Sequence, residues 1–239
     1  MKVVVIIPTY NERENLLDLV EAVWRSAAHS HVLVVDDGSP DGTGQLADQV
    51  ARRDGRCHVI HREGKLGLGT ASIRGLRWAM SQGFDVAVIM DADFSHDPAR
   101  LPAILDAVKS ADVAVGSRYV RGGSTENWPL LRRLTSRAVN LLSRALMGLP
   151  LKDVTGAYRA YRLEKIRKIN FDNFISKGYS FQEEMAFRCK LAGCRMVEVP
   201  ITFRNRERGT SKVSPGEMFT SLASLARIAA SRSIMRPLS

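Results

Sequence analysis

No stretch of this 239-residue chain is long and apolar enough to cross a bilayer, which takes about 20 residues. The opening run Met1 to Pro8 (MKVVVIIP) has one lysine and a short apolar segment closed by proline. It reads as a first strand and not as a signal peptide. Cysteine is scarce. Cys57, Cys189 and Cys194 make no disulfide framework, and Cys189 and Cys194 lack a metal-finger spacing and a matching pair elsewhere, so reduced thiols in a cytosolic protein are expected. The two commonest nucleotide cradles are absent: no G-x-G-x-x-G follows the first strand, and no G-x-x-x-x-G-K-[ST] occurs anywhere. Internal repeats and low-complexity linkers are missing too. Acidic residues are in deficit, giving a net charge of +10. That excess calls for an anionic partner, whether nucleic acid, a phosphorylated substrate or an anionic membrane surface, and does not choose among them.

What is present is a globular composition, 45% hydrophobic and 25% charged, in a chain long enough for a sizeable core and consistent with one α/β domain over residues 1–239. Short runs rich in Val and Ile alternate with longer amphipathic ones. Strands are expected at Lys2 to Pro8, His31 to Asp36, Cys57 to His61, Val86 to Asp91 and Asp112 to Ser117. Helices are expected between them at Glu12 to Ala28, Asp41 to Asp54, Gly69 to Gln82 and Pro98 to Ser110. This alternation predicts βαβ units and a mostly parallel sheet covered by helices on both faces. Beyond Arg118 come a loop at Arg121 to Ser124, a helix opened by Pro129 and running to Leu146, strands at Tyr158 to Arg162 and Arg195 to Phe203 with a helix at Phe181 to Leu191 between them, and a last helix from Pro215 to Ala230.

Ligands of open parallel sheets bind beyond the carboxyl ends of the strands. Four of those ends are polar here: Pro8 to Glu12, Asp36 to Ser39, Asp91 to Asp93 and Gly116 to Arg118. Turn chemistry explains one such end easily and four on one rim poorly. The run Gly64 to Thr70 (GKLGLGT) is either a phosphate-approaching loop or a plain turn before a helix. Asp91 and Asp93 lie two residues apart, so in extended chain both carboxylates face one way and can approach one cation. Hard oxygen ligands suit Mg²⁺ or Mn²⁺. A turn leading into a capped helix is the other reading, and Asp97-Pro98 fits it.

Taken in order, Pro8-Thr9-Tyr10-Asn11-Glu12, Asp36-Asp37-Gly38-Ser39, Gly67-Leu68-Gly69 and Asp91-Ala92-Asp93 resemble the nucleotide-sugar domain of glycosyltransferase family 2, the Rossmann-like GT-A fold. Gly116 to Tyr119, Leu130 to Arg137, Asp153 to Arg159 and Arg206 to Lys212 resemble dolichol-phosphate or polyprenol-phosphate mannose synthases. The resemblance covers nearly the whole chain. It implies inverting transfer of mannose from GDP-mannose to a polyprenyl monophosphate, with a nucleotide-sugar half to about residue 118 and an acceptor and membrane-facing half beyond. It would place Pro8, Tyr10, Glu12, Asp37, Lys65, Gly67 and Asp91 at the nucleotide sugar. Asp91, Asp93 and Ser95 would hold the metal. Arg118, Arg132, Arg133, Ser136 and Lys212 would hold the acceptor phosphate, with Asp91, Asp93 and Arg118 as the catalytic groups.

A phosphate monoester has a second pKa near 6 and is already a nucleophile at neutral pH, so no strong general base is needed. Glu183 and Glu184, which lie where hydroxyl-glycosylating relatives place a base, are expected to be structural or orienting. The acceptor's lipid tail implies a peripheral protein on the cytoplasmic face of a membrane. It would be held there by amphipathic stripes on the helix from Pro129 and on the last helix, or by a membrane-embedded partner subunit. The bland alternative packs both stripes on the core. A polyprenyl-phosphate glucosyltransferase using UDP-glucose shares most of the motifs. A nucleic-acid partner is not expected, because the acidic strand ends repel phosphates unless a metal is present.

Overall fold

The computed structural model describes residues 1–176, 178, 180–205 and 228. Strand β1 (Val3–Thr9) is buried on both faces and leads into α1 (Arg13–Ser26), which turns Leu16, Leu19, Val20 and Val23 onto the sheet at helical spacing. There follow β2 (His31–Asp36), α2 (Thr43–Arg53), β3 (Cys57–His61), α3 (Leu68–Ser81), β4 (Val86–Ile89), a 3₁₀ turn at Pro98–Arg100, α4 (Leu101–Ser110) and β5 (Val113–Ser117). The second part of the chain gives β6 (Ser124–Glu126), α5 (Leu130–Met147), β7 (Arg159–Arg162), α6 (Leu163–Ile166), α7 (Phe181–Leu191), β8 (Met196–Pro200) and β9 (Thr202–Arg204).

Seven strands form one sheet in the order β3-β2-β1-β4-β7-β5-β8, parallel throughout except for β7. Two apolar clusters, one on each face, hold it between helix layers. The helix layer approaches closely at Gly75 of α3, where a Cβ would meet Ile6 Cγ2 at 2.6 Å. The fold is therefore α/β, with the mostly parallel central sheet that the alternation predicts. Inserting β7 antiparallel between β4 and β5 sets Arg159 opposite Ile89 and Val115, at the rim where β4 and β5 end.

Three expectations need correction. The run Arg195 to Phe203 is two strands in two sheets: β8 pairs with β5, and after Ile201 the chain crosses over so that β9 pairs with β6. The change falls where β5 ends at Ser117, which pairs with Pro200; Pro200 has no N–H to extend a ladder. Ser124, expected in a loop, begins β6, which exists only because β9 lies beside it. The strand predicted to reach Asp91 ends at Ile89, so Asp91 and Asp93 lie in a turn. The predicted last helix lies outside the described residues, except that Ile228 is helical and buried in a core cluster.

Candidate active site

The rim formed by β1, β2 and β4 begins with a hydrogen-bonded knot. Asp36 Oδ1 accepts from the hydroxyls of Thr9 (3.0 Å) and Ser39 (2.5 Å), and its Oδ2 accepts from the Ser39 N–H. Ser39 Oγ accepts in turn from the Asn11 N–H, and Thr43 Oγ1 from the Glu12 N–H. Asp36 is thus a structural clasp between the first two loops, and its neighbour Asp37 faces the cleft. Asp37 accepts from Arg62 Nη1 at 2.6 Å and from the Leu66 N–H at 3.1 Å. Burial pushes its pKa upward, against the opposing pull of Arg62. Gly67 caps α3 with φ 99° and ψ 146°, a backbone state open essentially to glycine alone. The glycine-rich run is therefore the turn that delivers Lys65 and α3 to the rim.

These elements enclose a cleft lined by Pro8, Thr9, Tyr10, Glu12, Asp37, Lys65, Gly67, Leu68, Ala71, Asp91, Ala92 and Asp93. The seven residues expected at the nucleotide sugar all line it. Lys65 Nζ lies 5.2 Å from the Tyr10 ring centroid, a cation beside a flat apolar face.

The turn after β4 is rigidly built. Asp93 Oδ1 accepts from the N–H and the hydroxyl of Ser95, and the Asp91 N–H donates to His96 Nδ1 at 3.0 Å. Phe94 between them has φ 58°, a left-handed state that a bulky residue adopts only under constraint. His96 is buried, stacked on Tyr158 with ring centroids 5.1 Å apart. Asp97 caps the 3₁₀ turn through the Ala99 N–H, as the capped-turn reading expects. Asp93 also lines a second cleft, with Asn15, Asp18, Phe94, Asp97, Pro98 and Arg204, so its carboxylate stands between two openings. Among the described residues no three His, Cys, Asp or Glu side chains converge to hold a metal. Two carboxylates on one cleft still fit a hard divalent ion whose remaining positions are filled by substrate phosphate and water. Ser95, expected as a third ligand, has its hydroxyl engaged with Asp93 and orients that carboxylate.

On the other side of the rim, Arg118 at the end of β5 is buried and bidentate with Asp153: Nε to Oδ2 at 2.7 Å and Nη2 to Oδ1 at 2.6 Å. Asp153 also accepts the N–H groups of Arg118 and Gly156, while Glu198 on β8 accepts those of Lys152 and Asp153. Burial works against the charge of Asp153, but Arg118 beside it outweighs burial and keeps the carboxyl below its usual range. The rings of Tyr119, Trp128 and Phe203 surround the Arg118 guanidinium at 5.2 to 5.5 Å. Arg159, also buried, donates to the carbonyls of Val154, Gly156 and Gln182 and so braces the Asp153 to Gly156 turn from below.

Next to this buried pair runs α5. Its Ser136 hydroxyl accepts from Tyr119 Oη at 2.7 Å, Arg132 lies 4.1 Å from the Trp128 ring centroid and donates to Asn205, and Arg133 is exposed. Lys212 lies outside the described residues. The helix buries Asn140, Ser143 and Met147 and exposes Leu130, Leu131, Leu134, Leu141, Leu142 and Leu146. Among the described residues this stripe does not pack on the core; the helix turns Asn140 and Ser143 inward together with Met147. Asn140 shows why, because its side chain holds the N–H groups of Val154 and Thr155 and donates to Thr155 Oγ1.

Glu184 is fully buried, pairs with Arg188 Nη2 at 2.7 Å and accepts the N–H groups of Ile175 and Ser176, so it is structural. Glu183 is buried too, and desolvation raises its pKa to about 7. Sequence reasoning did not single out Arg62, His96 or Arg159. A basic residue directly after a strand end could have pointed to Arg62; for His96 and Arg159 only the fold supplies the partner.

The sequence matches glycosyl transferase family 2 over residues 4–169, and the chain belongs to that family and is a glycosyltransferase. Its fold is shared with glucosyl-3-phosphoglycerate synthase of Mycobacterium tuberculosis, solved with Mn²⁺, uridine diphosphate and glucosyl-3-phosphoglycerate (17% identity, TM-score 0.67, 97% of this chain and 79% of that one). It is shared also with S. aureus TarS 1-349 in complex with UDP-GlcNAc (19% identity, TM-score 0.61, 95% and 66%). Within the family, the chain is 51% identical over 216 residues to undecaprenyl-phosphate mannosyltransferase of Micrococcus luteus, covering 90% of this chain and 89% of that protein. It is also 51% identical over 215 residues to polyprenol monophosphomannose synthase of Mycolicibacterium smegmatis, covering 89% and 81%.

Proposed function

We propose that this protein transfers mannose from GDP-mannose to a polyprenyl monophosphate, with inversion at the anomeric carbon and with Mg²⁺ or Mn²⁺. The observation that carries this reading is the 51% identity to two polyprenyl-phosphate mannosyltransferases over about nine-tenths of the chain, donor and acceptor halves alike. The GT-A neighbour solved with Mn²⁺ supports use of a divalent ion.

Pro8, Tyr10, Glu12, Asp37, Lys65 and Gly67 hold the nucleotide in the β1–β2–α3 cleft, with Lys65 offsetting diphosphate charge. Asp91 and Asp93 would hold a divalent ion, with His96 and Ser95 fixing the turn that carries them. When bound, the ion stabilises negative charge on the departing diphosphate. The acceptor phosphate oxygen forms its bond to the anomeric carbon as the bond from that carbon to the diphosphate oxygen breaks; the nucleotide diphosphate leaves, and no proton has to be removed. Arg132, Arg133, Ser136 and, beyond the described residues, Lys212 screen and place the acceptor phosphate. Arg118 contributes differently. It is neutralised by Asp153 and its Nη2 also donates to Thr155 Oγ1, so it shapes the acceptor wall and offers chiefly its Nη1 N–H groups.

The lipid tail of the acceptor stays in a membrane, and α5 supplies a face for it. Its exposed leucines, flanked by Arg133 and Arg137, suit an anionic interface on the cytoplasmic side, alone or beside a membrane-embedded subunit. Among the described residues no helix is long and apolar enough to cross a membrane. A donor screen with GDP-mannose, UDP-glucose and a short-chain polyprenyl phosphate tests the reading. Mannosyl transfer from GDP-mannose alone is expected; glucosyl transfer from UDP-glucose as the dominant activity would replace it.

A further inference from the structure

The C-terminus of α7 ends in a turn whose geometry brings two particular side chains together. Gly193 takes φ 74°, its N–H donates to the Lys190 carbonyl at 3.0 Å, and the Cys194 N–H donates back to the Cys189 carbonyl at 2.9 Å. This pair of bonds is the Schellman arrangement, in which the residue two past the helix cap packs its side chain on the residue three before it. In most helices that contact is aliphatic. Here both positions are cysteine. Cys189 is fully buried in a core cluster, and Cys194 packs against that cluster from the half-exposed side. Their mutual influence draws Cys194 below the usual thiol range and, together with burial, pushes the Cys189 thiol well above it. Cys57 lies in the cluster on the opposite face of the sheet and is no third partner.

From this geometry we infer that Cys189 and Cys194 are a modification site, a dithiol that closes to an intramolecular disulfide under a peroxide oxidant. The half-exposed Cys194 thiolate attacks hydrogen peroxide, taking one oxygen to become a sulfenic acid and releasing hydroxide. The Cys189 sulfur then attacks the Cys194 sulfur, its proton leaves with the sulfenic hydroxyl as water, and the S–S bond forms; the thiols lose two electrons and peroxide gains them. Closure staples the end of α7 to the segment entering β8. That strand carries Glu198, whose carboxylate holds the N–H groups of Lys152 and Asp153 beside Arg118.

The test treats the folded, full-length protein with a few equivalents of hydrogen peroxide, alkylates under denaturing conditions and maps peptides by mass. The expected product is a Cys189–Cys194 cross-link, two hydrogens lighter than the dithiol and reopened by dithiothreitol, with Cys57 still alkylated. A Cys189→Ser variant is expected to accumulate Cys194 sulfenic acid trapped by dimedone, and the wild type is expected to trap several-fold less. Cys194 found as sulfinic or sulfonic acid or in an intermolecular disulfide, with Cys189 still alkylated, would overturn the inference. So would equal dimedone trapping in the two proteins.

Discussion

Helices α1 and α5 are both amphipathic, and they face opposite ways. α1 buries Leu16, Leu19, Val20 and Val23 against the sheet, as a helix covering a parallel sheet should. α5 buries Asn140 and Ser143 and leaves six leucines exposed. The contrast separates two tasks. Around α1 the apolar effect builds a scaffold that fixes acids on a rim. Around α5, Asn140 ties the helix to Val154 and Thr155 and Met147 anchors its end in the core, while the leucines face away from the other described residues. Contiguous exposed apolar faces on anchored helices commonly serve as interaction surfaces. On the proposed function, a membrane carrying the polyprenyl acceptor is the partner of matching chemistry.

The largest expected effect lies at the rim. Asp93→Asn keeps the turn's hydrogen bonds to Ser95 in outline but removes a charge from between the two clefts. A drop in kcat of about 100- to 1000-fold is expected, with thermal stability nearly unchanged. Steady-state kinetics beside a melting curve checks it, and retention of activity would detach this residue from the chemistry.

Next come the two acids of α7, adjacent in sequence and unlike in role. Glu184→Gln breaks a fully buried ion pair with Arg188 and is expected to cost about 3 to 5 kcal/mol in denaturant unfolding, with activity lost in proportion to the folded fraction. Glu183→Gln is expected to leave kcat near wild type and to stabilise the protein above neutral pH. Its carboxyl titrates near 7 when folded and near 4.5 when unfolded. The contribution of this group is therefore complete below pH 4.5 and is lost as pH rises to about 7, and an amide avoids that loss. A Glu183→Gln variant that folds but has no activity would mean that this acid serves as the base after all.

The smallest effect is at the opposite end of the sheet. His31 Nδ1 and His58 Nε2 lie 3.0 Å apart, and burial, aided by Lys2, lowers both pKa values. Both rings fold best uncharged. Their stabilisation is present above the unfolded value of 6.5 and is lost as pH falls through the lowered folded values. A melting temperature that declines by a few degrees between pH 7.5 and 5.5 is expected, with a shallower decline in His58→Gln. An unchanged pH slope in that variant would remove the pair from the account.

How legible all this was in sequence differs between the same two regions. The donor rim is built from local signals. Strand ends, turn residues and a two-residue carboxylate spacing all act within a few positions, so Asp37, Asp91 and Asp93 could be set on one rim before any coordinates, and the resemblance added Lys65 to them. The acceptor side is built from long-range pairs. Arg118 meets Asp153 and Asp153 meets Glu198 across 35 and 45 residues, and no period or spacing announces such contacts. Reading Arg118 from the resemblance alone gave a free cation; its carboxylate partner became visible only with β7 inserted between β4 and β5. The split of Arg195 to Phe203 into two sheets was hidden for the same reason, since strand propensity does not say which neighbour a strand will find. Periodicity did reveal the leucine stripe of α5. It could not say which way the stripe faces, because a core and a membrane ask for the same spacing.

The direct test of this division of labour is a paired assay on a variant with Leu131, Leu134 and Leu141 replaced by Gln, positions that are 73%, 54% and 65% exposed. Mannosyl transfer is measured to a short, water-soluble polyprenyl phosphate and to a long-chain acceptor in anionic liposomes, with liposome flotation alongside. The account predicts near wild-type rates on the soluble acceptor, a fall of about tenfold or more on the liposomes and loss of flotation, as expected when several leucines leave an interface and each is worth about 1.5 kcal/mol or more. Equal activity and equal flotation on the liposomes, with the protein fully folded, would contradict it.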